Sequence, residues 1–206
     1  MKNKTLSQIS HMQVEDIAEI DSWQTKFAGS EKFESIKKHM EHESLEFAEC
    51  VTESEPARKI TSLTDLIDAY YITQVSDPNY DPMEEDFLAY VMRDNEGKIV
   101  LFSIFNFRDL ISHHNPVFID TLVVHPEEQN KGYAKKFLTA VFENQEKFFG
   151  WKPDEFFTSF APDNIAAKKL FSRFGFDIKQ TEKFASAQTY APKLVSETQP
   201  GSGEQN

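Results

Sequence analysis

The segment EEQNKGYAKKF, residues 127–137, sets Gln129, Gly132 and Ala134 at the spacing Gln-x-x-Gly-x-Ala, just before an amphipathic stretch. It follows the β-rich run VFIDTLVV (117–124), which Pro126 ends, so the chain here leaves a strand and enters a helix. The first amide N–H groups of a helix have no intrahelical partners and lie at the positive end of its dipole. Such a junction attracts an anion, phosphate above all. Gly132 allows the backbone to approach that anion without an intervening Cβ, Ala134 keeps the first turn thin, and Lys131 adds charge. An ordinary left-handed or capping glycine between strand and helix would account for the same residue with no ligand at all.

Hydrophobic periodicity predicts the elements that hold this loop. Val14, Ile17, Ile20 and Phe27 share a helical face, as do Phe33, Ile36, Met40 and Phe47 in a second helix that Ser30 can cap. Its Glu, Lys and His residues fall on the other side, so HMEHE (39–43), with His39, His42 and Glu43, reads as a solvated face rather than a metal site. Residues 62–72 form a short helix and 76–86 a loop. FLAYVMRDNEGKIVLFSIFNF then reads as a hairpin around DNEG. After the turn ISHHNP and the strand 117–124 comes a helix of about 16 residues, burying Ala134, Phe137, Leu138, Val141 and Phe142. EFFTSF (155–160) is a strand, 163–174 a helix, and FGFDIKQTEKF leads into a last strand region. A strand, helix and strand in succession predict a right-handed parallel pairing of 117–124 with 155–160.

Composition narrows the partners. With 206 residues, 39% of them hydrophobic, and 19 phenylalanines, the chain can bury one sizeable core. The net charge of -12 disfavours nucleic acid and suits a cationic partner. The sequence has no apolar run of membrane-spanning length and no apolar block near its start, and its single cysteine, Cys50, fits a reducing cytoplasm.

LVVHPEEQNKGYAKKFL resembles the acyl-CoA-binding segment of the GNAT superfamily of N-acetyltransferases, whose pattern is Arg/Gln-x-x-Gly-x-Gly/Ala. NIAAKKLFSRFGF is similar to the family's second motif, matching at Asn164, Ala167, Leu170, Gly175 and Phe176. The resemblance implies an α+β fold. In it, a mixed sheet of about six to seven strands is flanked by helices, with an antiparallel N-terminal half and a splayed parallel pair. It further implies a single domain over 1–190, with a helical part (1–86) shaping the acceptor site, a core (87–184) binding acetyl-CoA, and a flexible tail over 191–206.

Position by position, the resemblance implies that the backbone around Leu122, Val123 and Val124 pairs with the pantetheine arm. The amides from Gln129 through Asn130, Lys131, Gly132 and Tyr133 to Ala134 hold the pyrophosphate, and Asn164 bonds the pantetheine or a water. An amide near Val123 or Val124 stabilises the developing oxyanion when a neutral amine attacks the acetyl carbonyl. Phe171 stands where the family often has a tyrosine general acid and cannot donate a proton; Tyr190 is another tyrosine that could reach the site. Asp120, two residues before Leu122 and by alternation on its face, is the candidate base through water. His113, His114 and His125 read as solvated turn residues. The implied partners are acetyl-CoA and an amine acceptor, small molecule or protein, with no metal, nucleic acid or membrane; a homodimer is admitted. Binding of acyl-CoA without transfer, and a purely structural role, remain alternatives.

Overall fold

The computed structural model describes residues 5–50, 60–70, 87–107, 115–181, 185–189 and 192, with only the backbone of 45–50 and 68–70. Strand β1 (Ile9–His11) precedes helices α1 (Val14–Phe27), α2 (Glu31–Cys50) and α3 (Leu63–Tyr70). The hairpin β2 (Phe87–Arg93) and β3 (Ile99–Asn106) leads to β4 (Pro116–Val124) and a 3-10 turn (Pro126–Glu128). Helices α4 (Tyr133–Glu143) and α5 (Gln145–Phe149), strand β5 (Glu155–Phe160), helix α6 (Ile165–Arg173) and strands β6 (Asp177–Gln180) and β7 (Ala185–Thr189) complete the order. Among the described residues the strands form one seven-stranded sheet in the order β1-β2-β3-β4-β5-β7-β6. All pairs are antiparallel except β4 with β5. The expected α+β fold, with its antiparallel first half and parallel β4–β5 pair, is the one observed.

Local chemistry explains several boundaries. Ser30 Oγ accepts from the Phe33 amide at 3.2 Å and caps α2 as expected. At the start of α1 the Gln13 amide donates to Asp16 Oδ2 at 3.0 Å, and Arg93 Nη2 holds the other Asp16 oxygen at 2.5 Å, tying α1 to the end of β2. Helix α4 stops at Asn144, so the expected long helix is broken into α4 and α5. The three-residue β1, too short to carry a pattern, was not anticipated. The last strand region proves to be two strands, with β7 inserted between β5 and β6.

The sheet is covered on both faces, which is why β3 reads as an unbroken apolar run. Phe102 and Ile104 pack with Trp23, Phe33, Ile36 and Met40 beneath the N-terminal helices. Phe105 packs with Phe137, Phe149 and Phe156 beneath α4 and α5. Each fully buried phenylalanine contributes about 1.5–3 kcal/mol of apolar burial. Val14, expected on the buried face of α1, is 48% exposed, and Trp23 joins Ile17 and Ile20 there instead.

Two details of β4 shape the site. It pairs with β5 only over Pro116–Phe118 against Glu155–Phe157; beyond that the strands part. Against β3, Ile104 faces Thr121 and Phe105 faces Ile119, so Asp120 is an extra residue, a β-bulge. Alternation therefore slips at Asp120. Ile119 and Leu122 contact the same core across the bulge, and Asp120 and Leu122 both face the gap that opens between β4 and β5.

Candidate functional site

A cavity of about 540 Å³ occupies the gap where β4 and β5 separate. Its walls come from α2, the bulged end of β4, the loop after it, the end of β5 and α6. Asp120, Leu122, Val123, Val124, Gln129, Asn130, Gly132, Tyr133, Ala134, Asn164 and Phe171 all line it, so two distant sequence motifs meet in one space. Lys131 does not line it; its Nζ is exposed and bound to Glu128 Oε2 at 3.0 Å. The cations on the wall are Lys135, Lys169 and Arg173, which motif spacing alone did not single out.

The loop 125–132 is held from below. His125, expected in solvent, is 1% exposed and meets Trp23 and Phe27 edge-on at 4.8 and 5.2 Å. Its Nδ1 accepts from the Glu127 amide at 3.1 Å and so caps the 3-10 turn. Burial, with Lys98 nearby, lowers its pKa to about 4 and keeps the ring neutral. The backbone then turns through two left-handed residues, Asn130 (φ 64°) and Gly132 (φ 83°), before α4 begins. The Lys136 amide bonds Gly132 O at 3.0 Å, which leaves the amides of Tyr133, Ala134 and Lys135 without intrahelical acceptors. Gly132 is thus required by its backbone angle, apart from any ligand.

Contacts also cross the cavity. Gln129 Nε2 donates to Lys32 O at 3.0 Å and to Ser35 Oγ at 3.2 Å, and Lys38 Nζ meets Asp163 Oδ2 at 2.7 Å. Helix α2 is therefore fastened to the loops on both sides of the gap. Asn164 Oδ1 accepts from the Ala167 amide at 3.0 Å and caps α6, so its carbonyl oxygen is committed. The His125 amide donates to Val100 O at 2.9 Å on the β3 side. Alternation along β4 turns the Val123 amide the same way and those of Leu122 and Val124 toward the open β5 side. Of the two amides considered for an oxyanion, Val124 faces the gap.

Phe171 is 4% exposed and stacked on Phe160, with ring centroids 5.9 Å apart. Thr158 Oγ1 donates to Ile119 O at 2.8 Å, bridging the parting strands. The stretch HMEHE is not a solvated face. His42 and Glu43 are buried, and His39 lines the cavity beside Ser35 and Ile36. His42 Nε2 lies 3.2 Å from Ser159 Oγ, and His39 Nδ1 lies 3.7 Å from Glu43 Oε1. The signal was present: Ile36, His39, Met40 and Glu43 follow the i, i+3, i+4, i+7 spacing of an inward face. His113, His114, Tyr190 and the tail lie outside the described residues, as does the side chain of Cys50. Among the described residues no group of three or more His, Cys, Asp or Glu could hold a metal ion, and no helix is long and apolar enough to cross a membrane.

The sequence matches the acetyltransferase (GNAT) family over residues 60–176, more than half of the chain. The chain belongs to that family, one of acetyltransferases that use acetyl-CoA. No curated protein sequence matches it significantly. Among solved structures it is similar to the ribosomal-protein-S18-alanine N-acetyltransferase of Escherichia coli, at 14% identity and a TM-score of 0.50 over 94% of this chain and 98% of that one. It is also similar to the GNAT domain of S. lividans PAT, at 12% identity and a TM-score of 0.53 over 88% of each chain. A third is the spermidine N-acetyltransferase of Vibrio cholerae in complex with CoA and spermine, at 13% identity and a TM-score of 0.52 over 89% of this chain and 95% of that one. At these identities the likeness is one of fold.

Proposed function

We propose that this protein transfers an acetyl group from acetyl-CoA to a primary amine, which attacks the thioester directly in a ternary complex. The observation that carries this reading is the single cavity in which the loop amides, the open edge of β4 and a carboxylate converge. The helix N-terminus at Tyr133–Lys135 offers three amides to a pyrophosphate, and Lys135, Lys169 and Arg173 supply positive charge that the acidic chain otherwise lacks there. The unpaired edge at Leu122 and Val124 suits the amide groups of a pantetheine arm, as a further strand would. Acetyl-CoA supplies the activated acyl group. The Val124 amide would steady the charge developing on the carbonyl oxygen. Asp120, projecting from the bulge, would draw in the ammonium form of the acceptor and pass its proton on through water. The acidic composition favours a cationic acceptor, and the lone cysteine favours the cytoplasm.

One observation favours a second reading, binding of acyl-CoA without transfer: Phe171, stacked on Phe160, has no proton to give the departing thiolate. A thiol with a pKa of about 8.5 is nonetheless a tolerable leaving group. The test is a thermal melt with acetyl-CoA, CoA or ATP, followed by thiol release with a panel of primary amines. Ligand at about 100 times its Kd adds about 2.7 kcal/mol, a rise of about 5–10 °C for a chain of this size. A rise with acetyl-CoA but not with ATP, then thiol release, supports transfer. A rise with no turnover of any amine supports the binding reading, and no rise rejects both.

A further inference from the structure

We propose that His39 is a second catalytic base of this site, acting after Asp120: once a turn of its side chain brings Nε2 to the cavity surface, it takes the remaining proton from the acceptor nitrogen as that nitrogen bonds to the acyl carbon. The inference rests on the transfer reading above and names the group that handles its second proton. His39 reaches the cavity from α2, on the wall it shares with Ile36, and the cavity also contains Asp120 of the bulge and Ser159 of β5. Its Nε2 is excluded from solvent and has no hydrogen-bond partner. A buried polar atom left unpaired is costly and calls for a reason, and a reacting group is one. On the other side of the ring, Glu43 Oε1 stands 3.7 Å from Nδ1, itself almost fully buried. A carboxylate there favours the tautomer with the proton on Nδ1, which leaves the Nε2 lone pair free to accept.

Burial first, and His42 second, hold the His39 pKa at about 4, so the ring is neutral at physiological pH. The ammonium proton leaves earlier, through Asp120 and water, and this weak base has only the second proton to take. It acts on the nitrogen once the nitrogen has attacked and its N–H has become acidic. The balance is simple. The amine lone pair forms the C–N bond, the C–S bond breaks, and the sulfur leaves with its electron pair. The nitrogen proton passes to His39 Nε2 and then to the thiolate, which is the stronger base at about 8.5. One imidazole thus serves both ends, and a chain with Phe171 in place of a tyrosine needs no second donor.

The test uses the full chain with ¹⁵N-labelled histidine, His39 being assigned through His39→Leu, and does not depend on knowing the acceptor. Long-range ¹H–¹⁵N spectra from pH 5 to 8 are expected to show a neutral Nδ1–H ring; an Nε2–H ring overturns the proposal. His39→Leu removes an unpaired buried nitrogen but also the ring's contact with the buried Glu43 carboxylate, so its melting midpoint should stay within about 5 °C of the wild type. Acetyl-CoA binding measured by calorimetry should change less than about 2-fold, whereas thiol release with any amine turned over should fall about 10²–10⁴-fold. A midpoint lowered further, with parallel loss of acetyl-CoA binding, assigns His39 to structure and sinks the idea, as does release within about 3-fold of wild type. Failure of the wild type to bind acetyl-CoA would strike the transfer reading instead, while the tautomer and the midpoint would still decide whether His39 is poised or structural.

Discussion

Two arguments converge on Gly132 and can be separated by substitution. Its φ of 83° lies in the left-handed region, and a Cβ built there meets nothing within 4 Å. The cost of Gly132→Ala is therefore backbone strain without a clash, roughly 1–2 kcal/mol. At about 2–4 °C per kcal/mol for a chain this long, the midpoint should fall roughly 2–8 °C. Asparagine tolerates this conformation better, so Gly132→Asn should lose less than Gly132→Ala. Binding separates the variants differently. If an anion sits on the amides of Tyr133 and Ala134, any side chain at 132 crowds it, and Gly132→Asn should bind acetyl-CoA at least about 10-fold more weakly, 1.4 kcal/mol, despite its near-normal midpoint. Scanning calorimetry and titration calorimetry on the three proteins give both numbers. Wild-type affinity in Gly132→Asn would refute the close approach, leaving the glycine purely conformational. An unchanged midpoint in Gly132→Ala would refute the strain argument.

Acidification should destabilise the fold. His39 and His125 have folded pKa values of about 4, below the ordinary 6.5, so the unfolded chain takes up protons first. Their contribution is intact above pH 6.5 and lost as the pH falls toward 4, by at most roughly 3 kcal/mol each; His125→Leu should flatten that slope in denaturant melts. Phe171→Tyr should change thiol release less than about 3-fold, because the proposed base already serves the sulfur; a gain near 10²-fold would show that the missing hydroxyl is limiting. Neutralising Lys135 and Arg173 together should weaken acetyl-CoA binding roughly 5–30-fold and reduce its salt dependence, whereas Lys131→Ala, whose ammonium is held by Glu128, should stay within about 2-fold.

What the sequence determined is local. The Gln129-x-x-Gly132-x-Ala134 spacing, the DNEG turn, the Ser30 cap and the strand–helix–strand order each depend on residues a few positions apart, where period and turn chemistry are dictated by backbone geometry. From these the fold class and the cavity's loop could be read in advance. Tertiary structure decided the rest. Whether Asp120 continues the alternation of β4 or bulges out of it depends on its register with β3, and no pattern within β4 records that. His125 looks like a turn residue until Trp23 and Phe27, about a hundred positions earlier, close over it. His39 and Glu43 carry polar atoms on an inward helical face, and only the packing of α2 across the gap between β4 and β5 turns that face into a cavity wall. Burial is a property of the whole assembly: the same imidazole is an ordinary base in water and a neutral one when apolar neighbours strip its solvent.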